Sequence, residues 1–172
     1  ELRPLDECLE RKYWASAAVH LALQKDYSLA AEYYLRAGMA VEAAVLFRES
    51  NQVEQALHVC ELENLLDIAE PLLLRQKSYA RLLKLYESNR RYSQAALLLE
   101  ELKRFDEAAD FWKKEQDYGK AAMAYLRSCH PEEAGKLVGK VEDIAIQMSV
   151  LIQAGNLAEV ARLLEKRKQF DL

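Results

Sequence analysis

"DYSLAAEYYLRAG", residues 26–38, sets the reading of the whole chain. On a helix, Tyr27, Ala30, Ala31, Tyr34 and Ala37 fall on one stripe, an apolar face with small residues in its middle. Related phrases recur as "RFDEAADFWKKE" at 104–115 and "DYGKAAMAYLRS" at 117–128. Counting in steps of thirteen from Trp14 gives Tyr27, Ala40, Val53, Leu66, Tyr79, Tyr92, Phe105, Tyr118, Pro131, Ile144 and Leu157. Eleven of these twelve are apolar, Pro131 being the exception. Three residues further on, nine of twelve positions are Ala, where the chain's own Ala content would place about two. Seven residues on, the series from Leu21 to Leu164 consists of residues suited to a core. The phrases are copies of one unit.

That unit has apolar groups at relative positions 0, 3, 4 and 7, one face of an α-helix. Thirteen residues hold a helix of about ten residues, about 15 Å long, and a turn of about three. So short a turn makes consecutive helices antiparallel, and helices so short draw their stability from packing on neighbours. The punctuation agrees. Asp26, Ser78, Asp117, Asp143 and Asn156 stand at the N-cap position, and Asn156 with Glu159 has capping-box spacing. Pro131, followed by Glu132 and Glu133, suits a first turn, and Gly38 and Gly155 suit a C′ position.

"Tyr27-x-x-Ala30-x-x-x-Tyr34-x-x-Ala37" resembles the second helix of a tetratricopeptide repeat. Phe105, Ala108 and Trp112 match its first three positions, as do Tyr118, Ala121 and Tyr125. The pair period here is 26 residues rather than the 34 of that family, and its Trp-Leu-Gly signature is missing. The chain is more similar to the degenerate solenoids of β-propeller-plus-solenoid proteins in membrane coats and intraflagellar transport. The expected fold is therefore all-α: a right-handed α-solenoid of about twelve short antiparallel helices with a 13-residue helix period, a single domain over 1–172. Phe170, one step after Leu157, would open a further helix, so the chain reads as a piece of a longer solenoid. Pro71, at relative position 5, predicts a kink or break within 62–77, because it removes an amide and crowds the carbonyl of Asp67. The Leu-rich run around it reads as a helix covered on both sides, the alternative being an exposed apolar strip for a partner.

Composition narrows the function. The charge of −4 does not suit nucleic acid, and no apolar run reaches the length of a membrane span. Three cysteines without close spacing point to a reducing compartment, and hence to the cytoplasm. His20, His58 and His130 have no partners at metal-ligand spacing, and there is no Gly-rich phosphate loop. Cys129 beside His130 is the nearest approach to a nucleophile pair, but adjacent turn residues point apart. Neither catalysis nor a cofactor is expected.

The expected function is a protein–protein interaction scaffold, with other proteins or neighbouring domains as partners. The alternative is a regulatory or recruiting arm of a larger enzyme. Residues 1–70 hold 6 Lys/Arg against 13 Asp/Glu, and residues 71–172 hold 18 against 15. Lys77, Lys103 and Arg104 fall on one edge of the expected solenoid and are the candidate site for an acidic partner segment or for the acidic first half of another copy. Leu157, Val160, Ala161, Leu164 and Phe170 are the candidate edge for self-association.

Overall fold

The computed structural model describes residues 13–170, with side chains from 13 to 165. Leu5 and Cys8, which would belong to a helix before Trp14, lie outside the described residues. Those residues form twelve short helices and no strand. They are α1 (Trp14–Leu23), α2 (Tyr27–Arg36), α3 (Ala40–Glu49), α4 (Val53–Leu62), α5 (Leu66–Arg75) and α6 (Tyr79–Ser88). There follow α7 (Tyr92–Glu101), α8 (Phe105–Lys114), α9 (Tyr118–Arg127), α10 (Pro131–Leu137), α11 (Ile144–Gln153) and α12 (Leu157–Phe170). Each begins at a residue of the thirteen-step series. The chain divides into two compact units, residues 1–89 and 90–172, and within each the consecutive antiparallel helices pack in a solenoid-like repeat.

Burial follows the relative positions. At position 3, Ala17, Ala30, Ala43, Ala56, Ala69 and Leu82 in the first unit are fully buried, as are Ala95, Ala108, Ala121 and Ala134 in the second. Removing side-chain bulk there lets backbones approach, which larger residues would hold apart. Position 7 supplies the large core groups Phe47, Cys60, Leu73 and Tyr86, then Leu99, Trp112 and Tyr125. Tyr34 and Val138 are half-buried at this position and Leu164 is open to solvent, so the series is not core throughout. The residues at position 0 sit mostly at the rim: Tyr27, Tyr79, Tyr92, Phe105 and Tyr118 are half-buried.

The turns are more uniform than the sequence suggests. Ten of them hold a residue with positive φ two places before the next helix: Lys25, Gly38, Asn51, Asn64, Lys77, Arg90, Lys103, Gln116, Cys129 and Gly155. Only Gly38 and Gly155 were legible as such residues. At eight of these, all but Asn64 and Arg90, two bonds close the preceding helix, as at α1 where Lys25 N bonds Ala22 O and Asp26 N bonds Leu21 O, each 3.0 Å. This is the Schellman arrangement, in which the helix's last carbonyls recover donors. Its second donor is the N-cap residue of the following helix. That residue's amide is therefore already engaged, which explains why Asn156 and Glu159 form no reciprocal capping box. The Asn156 amide bonds Leu151 O at 2.8 Å, and the Glu159 carboxylate pairs with Arg162 at 3.1 Å. The N-cap side chains still act at Asp26, Asp117, Asp143 and Asn156, whereas Ser78 makes no such bond.

One helix, α5, runs through Pro71. Asp67 and Pro71 are both exposed, so the carbonyl that loses its donor lies on the solvent side of the helix. Leu66, Ala69 and Leu73 form its buried face while Leu62 and Leu74 are exposed, so this run is not covered on both sides. A departure from regular helix lies at 138–143. There α10 ends after seven residues, a 3-10 turn spans Val138–Lys140, and Asp143 is extended. Phe170 falls within α12 rather than opening a separate helix.

Candidate interaction surface

Since the repeat consumes the small and large apolar positions in packing, any site must be built from what is left outside. Much of that remainder is tied down by side-chain bonds between neighbouring helices and between some helices and the next but one. In the first unit Ser28 of α2 meets Gln52 before α4, and Arg81 of α6 bonds Glu54 and Glu61 of α4 at 2.9 and 2.7 Å. These bonds, with help from Gln76, hold the Glu54 carboxyl below its usual range. In the second unit Arg127 of α9 bonds Glu100 of α7 at 2.5 Å, and the Trp112 indole donates to the same carboxylate at 2.8 Å. Tyr125 donates to Asp110 at 3.0 Å and accepts from Lys113 at 2.8 Å. Lys113, an outward residue by its place in the repeat, is thus a half-buried strut that also pairs with Asp110.

The turn before α10 gathers polar groups. His130 Nδ1 lies 2.8 Å from Asp106 Oδ1 and 3.1 Å from Ser128 Oγ. Hydrogen bonds from Ser128 and His130 hold the Asp106 carboxyl below the usual range. Cys129 is exposed on a left-handed backbone, and the neighbouring imidazole is engaged by Asp106 rather than by the thiol. The contacts here are those of a strut between the starts of α8 and α10. Cys60 is a buried member of the first unit's core, and burial pushes its thiol up to about 11. Among the described residues no group of His, Cys, Asp and Glu is placed to hold a metal, and no helix is long and apolar enough to cross a membrane.

The candidate basic residues fall in two places. Lys77, in the first unit, is exposed at the positive-φ position of the α5–α6 turn. Lys103 occupies the equivalent position before α8 in the second unit, and Arg104 follows it as the N-cap residue. Arg104 is held by Glu107 through two 2.6 Å bonds, while Lys103 is exposed. The sequence could not reveal that pairing's strength, although Arg and Glu three apart on a helix are placed to meet. Divided at the unit boundary, residues 1–89 carry 10 Lys/Arg and 14 Asp/Glu, and residues 90–172 carry 14 of each. The contrast between basic and acidic halves is therefore smaller by structural unit than by sequence half.

In the candidate self-association edge, Leu157 is 66% exposed and Ala161 and Leu164 are exposed, while Val160 is buried. The side chain of Phe170 lies outside the described residues. The neighbouring α11 also leaves apolar groups open, with Ile144 44% and Ile152 52% exposed.

No curated protein matches the chain. Residues 45–146, more than half of it, match the family model described as vacuolar sorting protein 39 domain 1. The match runs from within α3 to the start of α11 and so includes parts of both units. This all-helical repeat chain belongs to the vacuolar sorting protein 39 domain 1 family.

Proposed function

We propose that the chain is a protein–protein interaction module of intracellular transport, acting on the cytoplasmic side without catalysis of its own. In this reading it is a right-handed α-solenoid with a 26-residue helix-pair repeat, related to the tetratricopeptide-like solenoids of coat and transport proteins. The carrying observation is the division of labour along each helix. Positions 3 and 7 are buried at nearly every repeat, so the fold is held from within, and outward residues that no such bond engages can vary to specify partners. The family's vacuolar-sorting name supports the transport setting.

In this reading Lys77 in the first unit, and Lys103 with Arg104 in the second, each steer acidic groups of the partner. Arg104 exchanges Glu107 for the partner's carboxylate. Exposed charge acts mainly through encounter rate and salt dependence, and an exposed intrahelical pair is worth only about 0.3–0.5 kcal/mol, so the exchange is cheap. The test is the triple variant Lys77→Glu, Lys103→Glu and Arg104→Glu, compared with wild type in capturing proteins from a native lysate at low and high salt. Loss of the salt-sensitive partners with unchanged helicity supports the site. Retention of every partner at low salt refutes it and leaves the apolar faces to carry the interaction.

A further inference from the structure

Arg90-Arg91-Tyr92-Ser93, the turn into α7, starts a helix without an anion. Arg90 stands at the positive-φ place and Arg91 at the N-cap. Both are exposed, and neither guanidinium has a side-chain partner within the second unit. α7 has no acidic residue in its first turn and no side-chain cap bond, so its positive end faces two cations unrelieved. Ser93, in that turn, is half-buried, and its hydroxyl has no hydrogen-bond partner within the unit either. The next helix has the same start completed. Lys103-Arg104-Phe105-Asp106-Glu107 matches Arg90-Arg91-Tyr92-Ser93-Gln94 place by place, with carboxylates where α7 has Ser93 and Gln94. There Glu107 holds Arg104 through two 2.6 Å bonds.

We infer that Ser93 is a phosphorylation site for an arginine-directed protein kinase, and that its phosphate supplies the anion α7 lacks. The chain has eight serines and no threonine, and Ser93 alone has Arg at both the second and the third place before it. Two guanidinia at that spacing are read by a kinase groove lined with carboxylates, through charge-assisted and bidentate bonds. In the transfer, Ser93 Oγ bonds the γ-phosphorus of ATP and the bond from that phosphorus to ADP breaks. The hydroxyl proton passes to the kinase's carboxylate base. The turn opens at small cost. The amides of Tyr92, Ser93 and Gln94 lie in the first turn and donate no helical bond, the first such bond being Ala95 N to Arg91 O at 3.1 Å. Once attached, the phosphate stands where Asp106 stands in α8, at the positive helix end and within three residues of both guanidinia. Its charge of about −2 offsets theirs, so the modification stabilises α7 and withdraws two cations from the surface.

This site goes beyond the scaffold reading and does not rest on it, since Lys77, Lys103 and Arg104 take no part. The test incubates the folded chain with the catalytic subunit of an arginine-directed serine kinase and Mg-ATP, and locates the phosphate by peptide mass spectrometry. Phosphate on Ser93 is expected ahead of any on Ser78, which has only Arg75 at the third place before it. Arg90→Gln and Arg91→Gln should each slow the transfer at least about tenfold. Both positions are exposed, so circular dichroism should show folded variants. The phosphorylated chain should melt about 2 °C above the unmodified one, and the gain should shrink in fully modified Arg91→Gln. Absence of phosphate on Ser93 in the folded chain overturns the inference, and a peptide spanning residues 86–98 that accepts it would assign the failure to burial. Faster transfer to Ser78 also overturns it, as do unchanged rates in the Arg variants. So does a melting temperature that stays level or falls on modification.

Discussion

A left-handed residue at a turn has a measurable consequence at the scale of single positions. An L side chain in that conformation costs about 1–2 kcal/mol, while a Gly there costs about 0.5–1 kcal/mol in unfolded-chain entropy. Gln116→Gly should therefore stabilise the protein by about 0.5 kcal/mol, and Gly38→Ala should destabilise it by a similar amount. A Cβ at Gly38 would meet nothing within 4 Å, so any loss there reports the backbone alone. Urea unfolding of the two variants checks both signs. The two described cysteines should differ as sharply. Cys129 is exposed, whereas burial raises the Cys60 thiol to about 11, so at neutral pH Cys60 holds almost no thiolate. Peptide mapping after brief alkylation should find Cys129 labelled and Cys60 unlabelled until denaturant is added. Equal labelling rates would show that Cys60 is reachable in the folded state.

Within one element, the N-cap and the small middle residue carry separable contributions. Asp117 accepts from the Lys120 amide at 3.0 Å and pairs with the Lys120 side chain at 2.9 Å, so Asp117→Ala should cost about 1 kcal/mol. Ser78 occupies the same place before α6 and makes no cap bond, so Ser78→Ala should fall within about 0.5 kcal/mol of wild type. Thermal melts of the pair decide whether position or bond sets the effect. Ala108→Leu introduces three heavy atoms where the side chain is fully buried and should cost about 1–3 kcal/mol. Glu101→Leu, on an exposed position of α7, should be nearly neutral. Periodicity made these helices legible because one residue in thirteen had to be small for backbones to meet. The struts were not legible. Lys113 looks outward in the repeat, yet its ammonium reaches Tyr125 twelve residues away, and the sequence period does not encode where a long side chain ends.

For the molecule as a whole, repeats that touch mainly their neighbours should share a perturbation only locally. Leu57 is fully buried in α4, and Leu57→Ala should cost about 2–5 kcal/mol. Hydrogen exchange should then show protection lost across α3–α6, with α8–α10 in the other unit changed much less. Uniform loss over both units would mean that the array unfolds as one body. At this scale the sequence was least informative. The thirteen-step count placed every described helix start, but it gave no sign that the chain divides near Asn89, because the repeat passes through that point in phase. Nor did it mark 138–143, where the residue types still fit the series while the backbone leaves the helix. The candidate site was legible only as charge, since pairing such as that of Arg104 with Glu107 depends on which neighbour each side chain reaches first.

The double duty of the turn amide has a consequence for how such a chain changes over generations. One N–H both closes a helix and belongs to the residue that starts the next, so a turn can neither gain nor lose a residue without breaking one of those roles. The segment 138–143 obeys the same arithmetic: it gives up helix, yet Ile144 and Leu157 arrive on schedule. Small insertions inside a turn are then selected against, and duplication of whole helices is the mutation this architecture tolerates. Gene length in such a lineage grows by whole copies of the unit, and a frame-preserving slip of a codon or two is repaired within one helix or lost.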